Sequence, residues 1–195
     1  NSYERRNNKS FYENKEFAEK EVKSLIEKRR VEVVNHKPFF VNPLSVAIQR
    51  NKNRLILDCS YLNQFIEVPK FKYEDATAAL NYFKKGGFII SWDLKDGYHH
   101  IRIHPDFKDF LGFKLEIDGK LTFCRYMVGC FGLCDLPYLF TKIFRVLIKH
   151  WRACGLHCIK FLDDGINFSD TWEQAESESL HIRKDLMRAG AVWSV

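Results

Sequence analysis

The sequence predicts an α+β fold in which an antiparallel sheet is backed by helices. Three observations carry this. Short apolar runs alternate with turn residues, and pairs of them flank Asp118-Gly119 and Asp163-Asp164. Longer stretches with helical apolar spacing lie at residues 10–30, 137–153 and 172–189. The 195 residues are 46% hydrophobic and include 17 Phe, which excludes wholesale disorder and supplies a sizeable core.

Ser10-Phe-Tyr-Glu13 reads as a capping box that opens a charged helix running to about Arg30. Ala18, Val22, Leu25 and Ile26 give that helix one apolar face. Pro38 and Pro43 bracket an extended stretch. Residues 44–49 and 54–58 read as strands joined by a basic tip, Arg50-Asn51-Lys52-Asn53. Residues 75–83 form a short helix that ends at Gly86-Gly87. Residues 88–92 read as a buried strand running straight into Asp93. Residues 110–117 and 120–126 make a hairpin around Asp118-Gly119. Pro137 suits the first turn of a helix, with Asp135 before it as cap and Gly155 as stop. Residues 157–162 and 165–169 are two strands with Asp163-Asp164 at their turn. A last helix spans 172–189, stopped by Gly190, and residues 191–195 begin another strand.

Charge is unevenly placed. Residues 1–91 carry 17 basic and 11 acidic side chains, whereas residues 92–195 carry 14 of each, so the whole net charge of +6 lies in the first half. That suits a basic half facing an anion and a neutral half with another task. The basic candidates are residues 9–30 with Lys37, Arg50, Lys52, Arg54, Lys70 and Lys72. In the helix, Glu13, Glu16, Glu19, Glu21 and Glu27 interleave, so it reads as a solvated face. The tip at 50–54 holds no acid and reads as a phosphate contact.

Six cysteines in a core-rich chain read as reduced, buried thiols of an intracellular protein. Cys130-x3-Cys134 and Cys154-x3-Cys158 lack the usual zinc spacing, and His99, His100 and His104 read as packing or hydrogen-bonding residues. The chain begins at Asn1 without a signal peptide, which reads as a fragment or a processed product. Its longest apolar stretch, 126–134, is too short to span a bilayer, so no membrane partner is expected.

The chemistry concentrates at two strand ends. Asp93 closes one apolar run, and Asp163-Asp164 lies between two others that could share its sheet. Carboxylates converging on one point repel, and a hard divalent cation removes the repulsion. An Asp pair in a turn is ordinary by itself. The surrounding text raises its weight. Asp93-Leu-Lys-Asp-Gly-Tyr-His-His-Ile101, Phe131-Gly-Leu-Cys-Asp-Leu-Pro-Tyr-Leu-Phe-Thr-Lys142 and Phe161-Leu-Asp-Asp164 follow in order. Together they resemble the three palm motifs of a reverse transcriptase. Asn42-Pro-Leu-Ser-Val46 and Arg54-Leu-Ile-Leu-Asp-Cys-Ser-Tyr-Leu-Asn63 resemble its fingers strands. The likeness covers roughly residues 35–195; its middle motif is similar to LTR-type elements, and Gly165 after the Asp pair is most like DIRS-type, tyrosine-recombinase elements.

The resemblance implies a polymerase right hand reduced to fingers and palm: a helical extension at 1–34, part of the fingers at 35–90, and a palm with an interleaved fingers segment at 91–195. It implies template-directed DNA synthesis from an RNA or DNA template with primer, using dNTPs and two Mg²⁺ ions, with Mn²⁺ as the alternative. Asp93 and Asp163 are the implied metal ligands, with Asp164 beside them and the Leu94 carbonyl completing a coordination sphere. The amides of Asp96 and Gly97 would face the triphosphate. Arg54, with Lys52 adding charge, would contact its phosphates. Tyr98 would be the steric gate under the sugar, and Phe131-Gly132 would line the pocket against the templating base. Core packing is the ordinary reading of both Tyr98 and Phe131.

The chain departs from the family pattern at Gly129-Cys130, where Leu-Pro is usual, at Cys134-Asp135-Leu136, where small residues are usual, and at Phe161, where Tyr is usual. Leu136 is expected close to the template path. The family's fourth motif, with the lysine that protonates pyrophosphate, and the thumb, RNase H and recombinase regions are expected beyond Val195. Two other readings fit the same residues: a decayed or domesticated nucleic-acid-binding remnant, and an RNA-directed RNA polymerase, against which Tyr98 argues.

Overall fold

The computed structural model describes residues 2–50, 53–74 and 76–193. In chain order the elements begin with β1 (Tyr3–Glu4), α1 (Lys9–Glu13), α2 (Lys15–Glu27), β2 (Val31–Val34) and β3 (Phe40–Val41). They continue with β4 (Leu44–Ala47), β5 (Arg54–Leu57), α3 (Ala76–Leu80), β6 (Phe88–Asp93) and β7 (Gly112–Ile117). Then follow β8 (Lys120–Tyr126), α4 (Leu136–Ala153), β9 (His157–Phe161), β10 (Asp164–Ser169) and α5 (Trp172–Arg188). They form two compact units, Asn1–Val68 with Ile101–Leu136, and Pro69–His100 with Pro137–Val195. The chain therefore changes unit at 68/69, 100/101 and 136/137.

The first unit carries a five-stranded sheet in the order β1-β3-β7-β8-β2 and a separate β4–β5 hairpin. β7 and β8 pair antiparallel about Asp118 (φ 51°) and Gly119 (φ 77°), the left-handed conformations that the Asp-Gly sequence anticipates. β1 and β3 pair parallel, a contact too short to leave a periodic signature. Phe11, Val22, Leu25, Leu57, Phe113 and Tyr126 lie in one apolar core. The first expected helix is broken in two at Asn14, where φ is −131° and the side-chain amide donates to the Ser10 carbonyl at 2.9 Å. Ser10 is not a cap: it lies inside α1, and its Oγ accepts from the Val46 amide at 3.1 Å. Asn8 takes the cap position. The helical lysines pair with acids, Lys9 with Glu13 and Lys23 with Glu19 and Asp118, which is a solvated, charge-matched surface. Residues 110–111 belong not to β7 but to a 3-10 segment, Pro105–Leu111, whose first turn is capped by His104 Nδ1 accepting from the Asp106 amide.

The second unit holds a three-stranded antiparallel sheet in the order β6-β10-β9. α5 packs on β10 and β6, and α3 on β9. Trp151 of α4 is fully buried, sits edge-on to Trp92 at 5.8 Å, and donates from Nε1 to Asp185 Oδ2 of α5 at 3.0 Å. Glu178 is buried on α5 yet satisfied: Asn167 Nδ2, Ser169 Oγ and Gln174 Nε2 donate to it. Such pairing is what makes a buried carboxylate tolerable. β6 is an edge strand, so the expectation of a buried strand fails there: Phe88 and Ile89 are exposed and Trp92 alone is buried. Residues 191–193 make one bridge, Leu94 with Trp193, rather than a strand; Ser194 and Val195 lie outside the described residues. Among the described residues no helix is long and apolar enough to cross a membrane.

Candidate active site

Asp93 ends β6 and Asp164 begins β10, and the register places them directly opposite each other. Asp163 occupies the β9–β10 turn, and its carbonyl accepts from the Leu94 amide at 3.0 Å. Leu162 reverses the chain with φ 53°, a conformation that costs a non-glycine residue about 1–2 kcal/mol. The three carboxylates are thus gathered at one end of the sheet. The next row is Trp92, Gly165 and Lys160. Alternation along a strand puts that row on the opposite face, where Trp92 meets Trp151 and Lys160 meets Phe140 and Phe144. A Cβ on Gly165 would lie 2.1 Å from the Trp92 indole, so only glycine fits against that ring.

Electrostatics agrees with a crowded anionic site. Burial raises the Asp164 carboxyl above its ordinary value, the charges of Asp163 and Asp93 add to this, and Lys160 opposes it. Lys160 carries no sequence signal, because a lysine in a strand reads as solvent-facing. Its ammonium is buried without a hydrogen-bond partner, 4.3 Å from the Phe140 ring centre and 4.6 Å from that of Phe144. Burial pushes its pKa down to about 7 although Asp163, Asp164 and Asp93 all favour the charged form.

The segment after Asp93 folds against the same acids. Asp96 takes φ 59°, its carbonyl accepts from the His99 amide, and Gly97–His100 form a 3-10 turn. A Cβ on Gly97 would come within 3.4 Å of Asp163 Cβ, so this turn lies in contact with the carboxylate residue. Tyr98 stands edge-on to Phe140 at 5.6 Å, and burial, with Tyr73 and Asp163 adding, pushes its hydroxyl pKa to about 12. Leu94 is buried. His100 is a hydrogen-bonding residue, as expected: Nε2 accepts from the Val192 amide and Nδ1 faces the Gly97 carbonyl.

The remaining candidates lie in the first unit. The Arg54 guanidinium lies over the Phe131 ring at 5.6 Å, and the Phe131 carbonyl accepts from the Leu57 amide of β5. Phe131 is 39% exposed, which sets aside its reading as a core residue. Gly132 has φ 117°, and a Cβ there would stand 1.8 Å from the Leu57 carbonyl oxygen. Asn63 holds the same segment from both sides: Nδ2 donates to the Gly132 carbonyl at 2.8 Å and Oδ1 accepts from the Cys134 amide at 3.1 Å. Its clamping role has no sequence signal, because the two stretches are distant in the chain. Lys52 lies outside the described residues. Leu136 is fully buried, so its bulk belongs to the interior. Asp135 Oδ1 is buried without a partner, and burial raises that carboxyl. All six cysteines are free; four are buried, but Cys134 is only half-buried and Cys154 is exposed, against the expectation of buried thiols throughout. Burial pushes Cys124 to about 12 and Cys158 to about 11, which makes those two inert.

Three comparisons set the chain beside known proteins. The profile of the family described as "Reverse transcriptase (RNA-dependent DNA polymerase)" matches residues 25–193. The chain is 30% identical over 135 residues to the genome polyprotein of Petunia vein clearing virus, covering 69% of this chain and 6% of that protein. It is 28% identical over 137 residues to the retrovirus-related Pol polyprotein from transposon gypsy of Drosophila melanogaster, covering 70% and 12%. Among solved structures, a foamy viral protease–reverse transcriptase in complex with double-stranded DNA is similar with a TM-score of 0.78 and 17% identity, over 100% of this chain and 32% of that one. That likeness shows the fold. The chain spans only a small part of the curated relatives it matches.

Proposed function

The chain belongs to the reverse transcriptase family, and from that premise we propose that it forms fingers and palm of an RNA-directed DNA polymerase that extends a primer with dNTPs. The first unit is assigned to the fingers and the second to the palm. The observation that carries the reading is the pairing of Asp93 with Asp164 across β6 and β10, with Asp163 tied to Leu94 beside them.

The donor set fits Mg²⁺. Carboxylate and carbonyl oxygens are hard ligands, and Asp93, Asp163 and Asp164 bring three carboxylates to one end of the sheet. Asp93, Asp163 and the Leu94 carbonyl would hold the ions, with Asp164 at their side. When bound, the ions lower the pKa of the primer hydroxyl and stabilise charge on the leaving pyrophosphate; Mn²⁺ would serve as a substitute. The chain's own residues do the positioning. The Asp96 and Gly97 amides, at the start of their turn, face the triphosphate. In the first unit, Arg54, whose guanidinium lies over the Phe131 ring, is proposed to bind nucleotide phosphate. Tyr98 is held edge-on by Phe140 and closes the space a 2′-hydroxyl would need. Gly132 lets the backbone approach the templating base. The primer 3′-oxygen attacks the α-phosphorus, and pyrophosphate leaves.

An intracellular setting is supported by six free thiols. A DIRS-type affinity is proposed on Gly165, whose place is also explained by the Trp92 ring.

The test is primer extension on an RNA template with Mg²⁺, comparing the wild type with Asp163→Asn, in this chain and in any longer product of its reading frame. Extension that the substitution abolishes is expected. Template binding without extension in every form would instead mean a binding remnant.

A further inference from the structure

One cluster of side chains takes no part in that reaction. His150 lies in the last turn of α4, and His181 and Asp185 lie one turn apart on α5. Each brings one ligand atom to within 4.8 Å of the others. Asp185 Oδ2 is the hub, 3.1 Å from His181 Nε2 and 3.8 Å from His150 Nε2. In a tetrahedral site with bonds of about 2.0–2.1 Å, donor atoms stand about 3.3–3.4 Å apart. The two observed separations bracket that spacing.

The arrangement is more than a surface ion pair. One imidazole suffices to pair with a carboxylate. Here two, from different helices, converge on one oxygen with their rings stacked at 6.4 Å. If both carried a proton they would repel, whereas a divalent cation accepts both lone pairs. His181 and Asp185 have the i, i+4 spacing that sets two ligands on one helix face. The carboxylate is also held in place: it is 15% exposed, Trp151 Nε1 donates to the same Oδ2 at 3.0 Å, and Arg188 Nη1 lies 3.6 Å from Oδ1. Outer hydrogen bonds of this kind orient metal-binding carboxylates. The histidines are 57% and 43% exposed, so an ion can enter. Cys154 Sγ lies 3.9 Å from His150 Nε2, on the rim.

We propose that His150, His181 and Asp185 form a binding site for a zinc-class divalent ion, with water completing its coordination. Two imidazoles and one carboxylate suit Zn²⁺, Co²⁺ or Ni²⁺ and not Mg²⁺. The bound ion fastens α4 to α5, the two helices between which the chain runs out to Asp163-Asp164 and back. This site is chemically separate from the all-oxygen cluster.

Zinc chloride is added to the folded chain in excess Mg²⁺, which keeps hard carboxylate sites filled. Zinc retained after gel filtration is counted and melting is followed. The wild type and Cys154→Ser retain one zinc per chain and melt higher with it. His150→Ala and His181→Ala lose both effects. Because both histidines are substantially exposed, these variants keep the zinc-free melting temperature, which the same scan verifies. Failure of the wild type to retain zinc overturns the proposal. So does full retention by His181→Ala or His150→Ala, or loss confined to Cys154→Ser.

Discussion

The Leu94 amide donates to the Asp163 carbonyl at 3.0 Å, so a main-chain hydrogen bond ties the residue after Asp93 to the β9–β10 turn. Asp163→Asn removes a carboxylate and leaves that tie. Its melting temperature is expected to stay within about 2 °C of wild type, while primer extension is lost. Calorimetry and extension on one preparation check this. A fall of many degrees would mean that the carboxylate, not the backbone, holds the turn.

Lys160 predicts a pH dependence. The unfolded chain keeps this ammonium up to its ordinary value of 10.5, whereas the folded chain releases the proton near 7. Between these values unfolding takes up a proton, so stability rises as pH climbs from about 7 toward 10.5 and the penalty is full below 7. Lys160→Met, which keeps an apolar stem between Phe140 and Phe144, therefore gains most stability below pH 7. The gain shrinks with rising pH. Urea unfolding in EDTA across that range measures it, and a pH-independent difference would contradict the burial argument.

Gly132→Ala places a methyl into the Leu57 carbonyl and a side chain at φ 117°. Destabilisation of about 3 kcal/mol or more is expected. Gly119→Ala, with φ 77° but open space around it, gives the matched control for conformation without collision. The difference between the two in denaturant titration isolates the close approach.

Tyr98→Ala opens the space beside Phe140 and is expected to raise ribonucleotide incorporation relative to deoxyribonucleotide at least about tenfold. Tyr98→Phe keeps the ring and leaves the ratio unchanged. Competition assays with both nucleotides read this directly, and an unaltered ratio in the alanine variant would remove Tyr98 from the gate role.

Much of this arrangement is legible in one dimension for identifiable reasons. Apolar runs that stop at Asp93 and Asp163 mark strand ends because a carboxylate cannot follow them into a core. Asp118-Gly119 marks its hairpin because few sequences take two left-handed residues. Ser10 misleads because a capping box describes only local geometry, and the Val46 amide competes for its hydroxyl. The exposure of Phe88 and Ile89 follows from sheet order, which periodicity does not encode. Lys160 and Asn63 act on residues brought near only by folding, and the same holds for His150 with His181.

Trp92 and Gly165 are a ring and the notch cut for it. Neither position can drift alone: a larger residue at 165 collides with the indole, and a smaller one at 92 leaves a void beneath β6 and β10. Substitutions there should be strongly epistatic, tolerated together and damaging apart. In a mutational library the two sites would behave as a single heritable unit, and the row of carboxylates beside them would inherit its rigidity.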